Sequence, residues 1–414
     1  MSLLIKNIKS IHVCGDHHTQ PSRGAQMLDH GIMSQAFIAC RDGKIEDYGP
    51  QEYGPAESGF ETVIDGAGCY VLPSWVDSHT HIVYHQSREE EFVYRIKGMS
   101  YEEIAESGGG ILNSAKRLAH ASEDELYDQA WARLMEVIKF GTGAIEIKSG
   151  YGLSVESELK ILRVIQRLKE TSPIKIKATF LGAHAVPTIY KSNRQEYIDL
   201  ITEEMLPIIV REKLADYIDV FCDVGFFTVD ETRHILSKGA EHGLRGKIHA
   251  NELGNSGGVQ VGVEMNALSV DHLECIEDAE INCLLNSNTF PVGLPSTSFF
   301  LNIPYAPGRK IIDAGLPLVL ASDYNPGSTP SGKIPFLLSL ACLKMKLLPE
   351  EAITAVTING ACAIELENTH GSISRGKTAN LIITKPMRHL AFMPYAFGSD
   401  HVEQVIINGK IFHA

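Results

Sequence analysis

Eight apolar, β-branched runs alternate with helix-like stretches through the middle of this chain, and that alternation constrains the fold most. The runs end near His81, Lys148, His184, Asp223, Asn251, Glu274, Leu294 and Asp323. Most intervals carry helical spacing, as at 123–140, 155–170, 193–213 and 229–242. Eight strands separated by helices over about 250 residues is the pattern of an α/β protein built as a (β/α)8 TIM-type barrel. A doubly wound open sheet is the competing architecture, but no G-x-G-x-x-G fingerprint opens a βαβ unit.

The two ends of the chain read differently. Leu3-Leu4-Ile5, Ala36-Phe37-Ile38-Ala39 and Thr62-Val63-Ile64 are strand-like, with a hairpin turn at Asp42-Gly43-Lys44. The far end has Asn380-Leu381-Ile382-Ile383 and Gln404-Val405-Ile406-Ile407, then Asn408-Gly409 before Lys410-Ile411-Phe412. These predict a small β-sandwich-like domain made from both termini, 1–68 and 371–414, around a barrel at 69–370.

In a barrel the chemistry sits at the carboxyl ends of the strands. The first strand end carries His79-Thr80-His81. Side chains two residues apart in extended chain point the same way, so both imidazoles can face one ion. The third strand ends in His184, the fifth in His249-Ala250-Asn251-Glu252, the sixth in Asp271-His272-Leu273-Glu274 and the eighth in Asp323. His79, His81, His249 and Asp323 form a mixed nitrogen and oxygen set suited to one zinc or iron ion. Such an ion polarises a carbonyl and brings the pKa of its water towards about 7. His272 is the candidate general base and Glu252 a second proton carrier. A fourth histidine ligand is the other reading of His272. Strand 4 ends in the carboxylate of Asp223, which leaves a second ion open. Lys148, at the end of strand 2, reads as structural or ion-paired.

The formal charge of −14 argues against nucleic acid or an anionic membrane as partner. The eight cysteines are scattered, with no C-x-x-C pair, which fits a reduced compartment. Lysines interrupt the apolar residues of the N-terminus, and no apolar run approaches the roughly 20 residues that span a bilayer. The expectation is a cytoplasmic enzyme.

H-x-H on strand 1, histidines on strands 5 and 6 and aspartate on strand 8 resemble the metal-dependent amidohydrolase superfamily. Longer motifs narrow the resemblance to the imidazolonepropionase family. They are Arg88-Glu89-Glu90-Glu91-Phe92, Gly98-Met99-Ser100-Tyr101, Gly108-Gly109-Gly110-Ile111, Glu146-Ile147-Lys148-Ser149-Gly150-Tyr151-Gly152-Leu153, Phe180-Leu181-Gly182-Ala183-His184, Ile248-His249-Ala250, Val270-Asp271-His272-Leu273-Glu274 and Ser322-Asp323-Tyr324-Asn325-Pro326-Gly327-Ser328. The chain departs from the family at Pro73-Ser74-Trp75, where Pro-Gly-Phe is usual, and at Asn380, where aspartate is common. The first change should alter packing rather than ligands.

The resemblance implies hydrolysis of 4-imidazolone-5-propanoate, a small-molecule partner, to N-formimidoyl-L-glutamate. It places Arg88, Tyr101, Tyr151, His184, Glu252, Asn325, Gly327 and Ser328 against that substrate. An arginine suits its carboxylate, and neutral donors suit its ring. His184 would help to stabilise the developing oxyanion. A glycine-rich loop at 108–110 would cover the site, and the family favours a homodimer. The alternatives are a related cyclic amidase or ring deaminase, which would share the ligands but not the Arg88 group, and a non-catalytic barrel, which would lack a ligand.

Overall fold

The computed structural model describes residues 2–14, 19–99, 103 and 109–413. The terminal segments supply one mixed sheet: β1 (Ser2–Ile11), β2 (Met33–Arg41), β3 (Lys44–Pro50), β4 (Thr62–Asp65) and β5 (Tyr70–Pro73), joined by late strands. Asp42 and Gly43 turn β2 into β3 with φ of 50° and 81°, the left-handed pair that a tight hairpin needs.

The barrel strands follow in order: β6 (Trp75–Asp77), β7 (Thr142–Lys148), β8 (Lys175–Ala183), β9 (Tyr217–Cys222), β10 (Arg245–Ala250), β11 (Ser269–His272), β12 (Phe290–Gly293) and β13 (Val319–Leu320). Each pairs in parallel with the next. The remaining seam, between first and last strands, is stitched by Asp323 N–H to His79 O at 3.0 Å and His81 N–H to Tyr324 O at 2.9 Å. Asp77 accepts from both the amide and the hydroxyl of Ser322. The seam therefore lies under the H-x-H motif.

β14 (Leu381–Thr384), β15 (Val402–Ile407) and β16 (Lys410–Ile411) complete the mixed sheet, with β14 paired to β5. The apolar run at 70–73 thus belongs to that sheet, and the chain changes sheets at Ser74, whose N–H bonds Asn380 O at 3.0 Å. Trp75 is wholly buried at this crossing and donates its indole N–H to Phe140 O. A Cβ on Gly141, at φ +102°, would meet that indole nitrogen at 2.8 Å, so the tryptophan demands glycine there. Asn380 ties Gly143 O to the Asn408 amide, again joining the sheets. Both departures from the family pattern act on packing, away from the histidines.

Four helices bear on the site: α1 (Glu89–Ile96), α2 (Gly110–His120), α3 (Glu123–Lys139) and α4 (Val155–Thr171). Ser122 and Glu125 cap α3 reciprocally, and Ser154 caps α4. The helix expected at 193–213 carries a π-type turn, Leu200–Met205, just before Pro207, which has no N–H to return to the preceding turn. Among the described residues no helix is long and apolar enough to cross a membrane. All eight cysteines are free thiols.

Candidate metal centre and substrate pocket

His79 and His81 lie just past β6 and are buried. Their Nε2 atoms are 3.3 Å apart, and the ligand atoms of His79, His81 and His249 all fall within 4.8 Å of one another. Burial holds His79 and His81 far below the usual imidazole range, so both are neutral and can ligate. Asp323 Oδ1 stands 3.5 Å from His79 Nε2 and 3.6 Å from His81 Nε2. Thr297 and Ser328 hydroxyls donate to its other oxygen.

The far side of each imidazole decides which nitrogen faces the centre. His79 Nδ1 bonds Asp271 at 2.6 Å, and His249 Nδ1 bonds Asp219 at 3.1 Å. His81 Nδ1 points at Ser149 O, 3.3 Å away. Each acceptor keeps the proton on Nδ1 and turns the Nε2 lone pair inward. His249 Nε2 is buried with no hydrogen-bond partner among the described residues. A buried orphan nitrogen beside two more imidazoles and a carboxylate is the donor set of a divalent cation, so these residues fit one metal ion.

Beneath the histidines the barrel interior is charged. Lys148 Nζ lies 2.7 Å from Asp219, 2.8 Å from Glu146 and 3.6 Å from Asp271, all wholly buried. Lys247 pairs with Glu146 as well. Desolvation alone would lower Lys148, but these carboxylates outweigh it and raise its pKa. Lys148 therefore clamps the two carboxylates that orient His79 and His249. Asp223 accepts from the amides of Val224, Glu252 and Leu253, so both of its oxygens are engaged in shaping the loop after β10.

His272 is outside the metal cluster: Nε2 faces Glu252 Oε2 and Nδ1 faces Glu274 Oε2, each at 3.6 Å. Its φ of +89° is strained for a histidine and swings the ring off the strand's alternation. Burial, which would lower His272, is outweighed by Glu252 and Glu274, lifting it to about 10; burial raises Glu252 to about 7. The shifts put a proton on His272 across neutral pH and leave Glu252 as the group of the pair that exchanges one there.

A cavity of about 970 Å³ opens over this centre, lined by His81, His249, His272, Glu252 and Asp323. Arg88, Tyr151, His184, Asn325, Gly327 and Ser328 line it as well. Arg88 donates Nε–H to Ser114, and its Nη2 is buried without a partner among the described residues. A Cβ on Gly327 would meet Arg88 Nη1 at 2.5 Å, so glycine leaves the guanidinium its place. His184 Nδ1–H donates to Gly150 O at 3.0 Å, and burial holds the ring down to about 3. Neutral and with Nε2 free of hydrogen, it accepts rather than donates; an oxyanion-binding role does not fit that tautomer. Asn325 bonds within its own loop, to the amides of Gly327 and Ser328 and to Asp323 O. Tyr101 and Gly108 lie outside the described residues. The sequence reading gave no role to Asp219, Asp271, Glu274 or Ser114; charged residues inside apolar strands were the available signal for the first two.

The amidohydrolase family model matches residues 70–412. An imidazolonepropionase of Flavobacterium johnsoniae is 55% identical over 99% of this chain and 100% of its own length. One from Christiangramia forsetii is 52% identical, with 99% and 100% covered. Among solved structures, a triazine hydrolase variant superposes with a TM-score of 0.74 at 15% identity over 99% of this chain and 94% of that one, a likeness of fold.

Proposed function

The chain belongs to the amidohydrolase family and, within it, to the imidazolonepropionases, and from that premise we propose hydrolysis of 4-imidazolone-5-propanoate to N-formimidoyl-L-glutamate. This is the third step of histidine degradation. One observation carries the substrate: an inward-facing imidazole cluster and a buried, partly unsatisfied Arg88 guanidinium line one cavity.

His79, His81, His249 and Asp323 would hold one zinc or iron ion. When bound, that ion polarises a carbonyl and acidifies water. Arg88 Nη2 takes the propanoate carboxylate, a charge-assisted bond. His184 Nε2 accepts a ring N–H, which fixes which face of the ring meets the centre. The His272–Glu252 pair takes the proton of the attacking water and returns it to the departing ring nitrogen. Glu274, 3.6 Å from His272 Nδ1, favours the charged imidazole that results. As the amide C–N bond breaks, the former ring carbonyl becomes the α-carboxylate of the product. The free thiols support a reducing compartment, the cytoplasm.

The test is loss of ring absorbance when purified, metal-analysed protein meets freshly generated imidazolonepropionate. Turnover is expected, and none with metal bound would overturn the assignment. His272→Ala should lower kcat by about 10²–10⁴ while the metal stays. Loss of metal instead would make His272 a ligand.

A further inference from the structure

Glu158 sits in the first turns of α4, wholly buried, and takes no part in the chemistry above. The helix does not need it as a cap, because Ser154 already accepts from Ser157 N–H. Its carboxylate instead turns back onto the segment that follows β7. Oε2 accepts from Gly150 N–H at 3.0 Å, and Oε1 from Gly152 N–H at 2.6 Å and Leu153 N–H at 2.9 Å. Three backbone donors on one buried carboxylate make a clamp, and with the Ser149 hydroxyl they offset part of the cost of burying it.

The clamped backbone is not one the sequence would adopt unaided. Gly150 has φ +108° and Leu153 has φ +54°, a left-handed conformation that a leucine rarely takes. Gly152 is needed for close approach: a Cβ there would meet Glu158 N at 2.5 Å and its Oε1 at 2.8 Å. Short strained loops of this kind persist where the surroundings over-determine them.

Much of the substrate wall hangs on this loop. Gly150 O receives His184 Nδ1–H, and Ser149 O receives His81 Nδ1–H. Tyr151 sets its ring edge-on to His184 and His81, with centroids 5.3 and 5.7 Å away, and the Arg88 guanidinium lies 5.7 Å from the Tyr151 centroid. His79 and His249 do not touch it, being held by carboxylates inside the barrel. Ser149, on which His81 leans, is itself pinned to β8 by its N–H to Thr179 O at 2.9 Å and by Leu181 N–H to its hydroxyl at 2.9 Å. We infer that Glu158 is a positioning residue for the substrate, fixing Tyr151 and the His184 tautomer through the 149–153 loop. The inference rests on the substrate reading given above.

Glu158→Gln in the metal-loaded enzyme is the test, because an amide NH₂ then faces backbone N–H groups that need an acceptor. KM for imidazolonepropionate should rise about tenfold or more, as expected for losing a charge-assisted bond. Metal per chain should stay at the wild-type value, and 149–153 should lose protection from hydrogen exchange. Unchanged KM, whatever the melting temperature, overturns the proposal, and so does loss of metal. If Glu158→Gln does not fold, Gly152→Ala displaces the same carboxylate from the loop side. A raised KM then supports the clamp, and a wild-type KM removes it. Exchange needs no substrate, so the two readings fail separately. An inactive wild type would sink only the proposed function, whereas wild-type protection in Glu158→Gln would sink only the clamp.

Discussion

On one wall of the pocket, His79 and His249 lean on Asp271 and Asp219, which Lys148 joins inside the barrel, and every one of these side chains is buried. On the other wall, Arg88 precedes α1, whose Phe92 and Ile96 are 45% and 69% exposed, and Tyr151 rides a short loop. The metal wall is thus set by strand pairing and buried charge before any ligand arrives. The substrate wall is built from connecting segments positioned by single side chains, Ser114 on Arg88 and Glu158 on the Tyr151 loop. Rigid strands suit ligands that must meet at one point, and loops suit the part of a site that selects a substrate.

If the walls are separable, damage to one should leave the other readable. His249→Ala should have the largest effect, removing the metal and all measurable turnover, as elemental analysis beside the absorbance assay would show. Lys148→Met leaves buried carboxylates without their cation and should cost about 3–5 kcal/mol of stability by denaturant unfolding. Arg88→Met should keep metal and stability but raise KM about 10- to 100-fold, the worth of a hydrogen bond to a charged group. Ser114→Ala, which only lets the guanidinium wander, should raise KM about fivefold, near 1 kcal/mol.

The H-x-H pair was legible because extended backbone sends residues two apart to the same side, and His249 and Asp323 because barrels gather polar residues at strand ends. The eight-strand count was legible for the same reason, each run being apolar and bounded by helical spacing. His272 was legible as a polar residue at a strand end, yet its place apart from the His79, His81 and His249 cluster was not; that depends on a φ of +89° and on Glu252 and Glu274 facing its two nitrogens. The Asp219–Lys148–Asp271 clamp joins three strands far apart in the chain, which no local period reveals. Glu158 was hidden differently. It reads as one more acidic residue near a helix start, where carboxylates are common, and only the returning loop gives it a role.

The most direct measurement is a titration of chelator-treated protein with zinc or iron(II), following turnover of imidazolonepropionate. Activity should rise in proportion to metal and stop rising at one ion per chain, the capacity of His79, His81, His249 and Asp323. Saturation at two ions per chain, or full turnover without metal, would contradict a single hydrolytic centre built on the barrel wall.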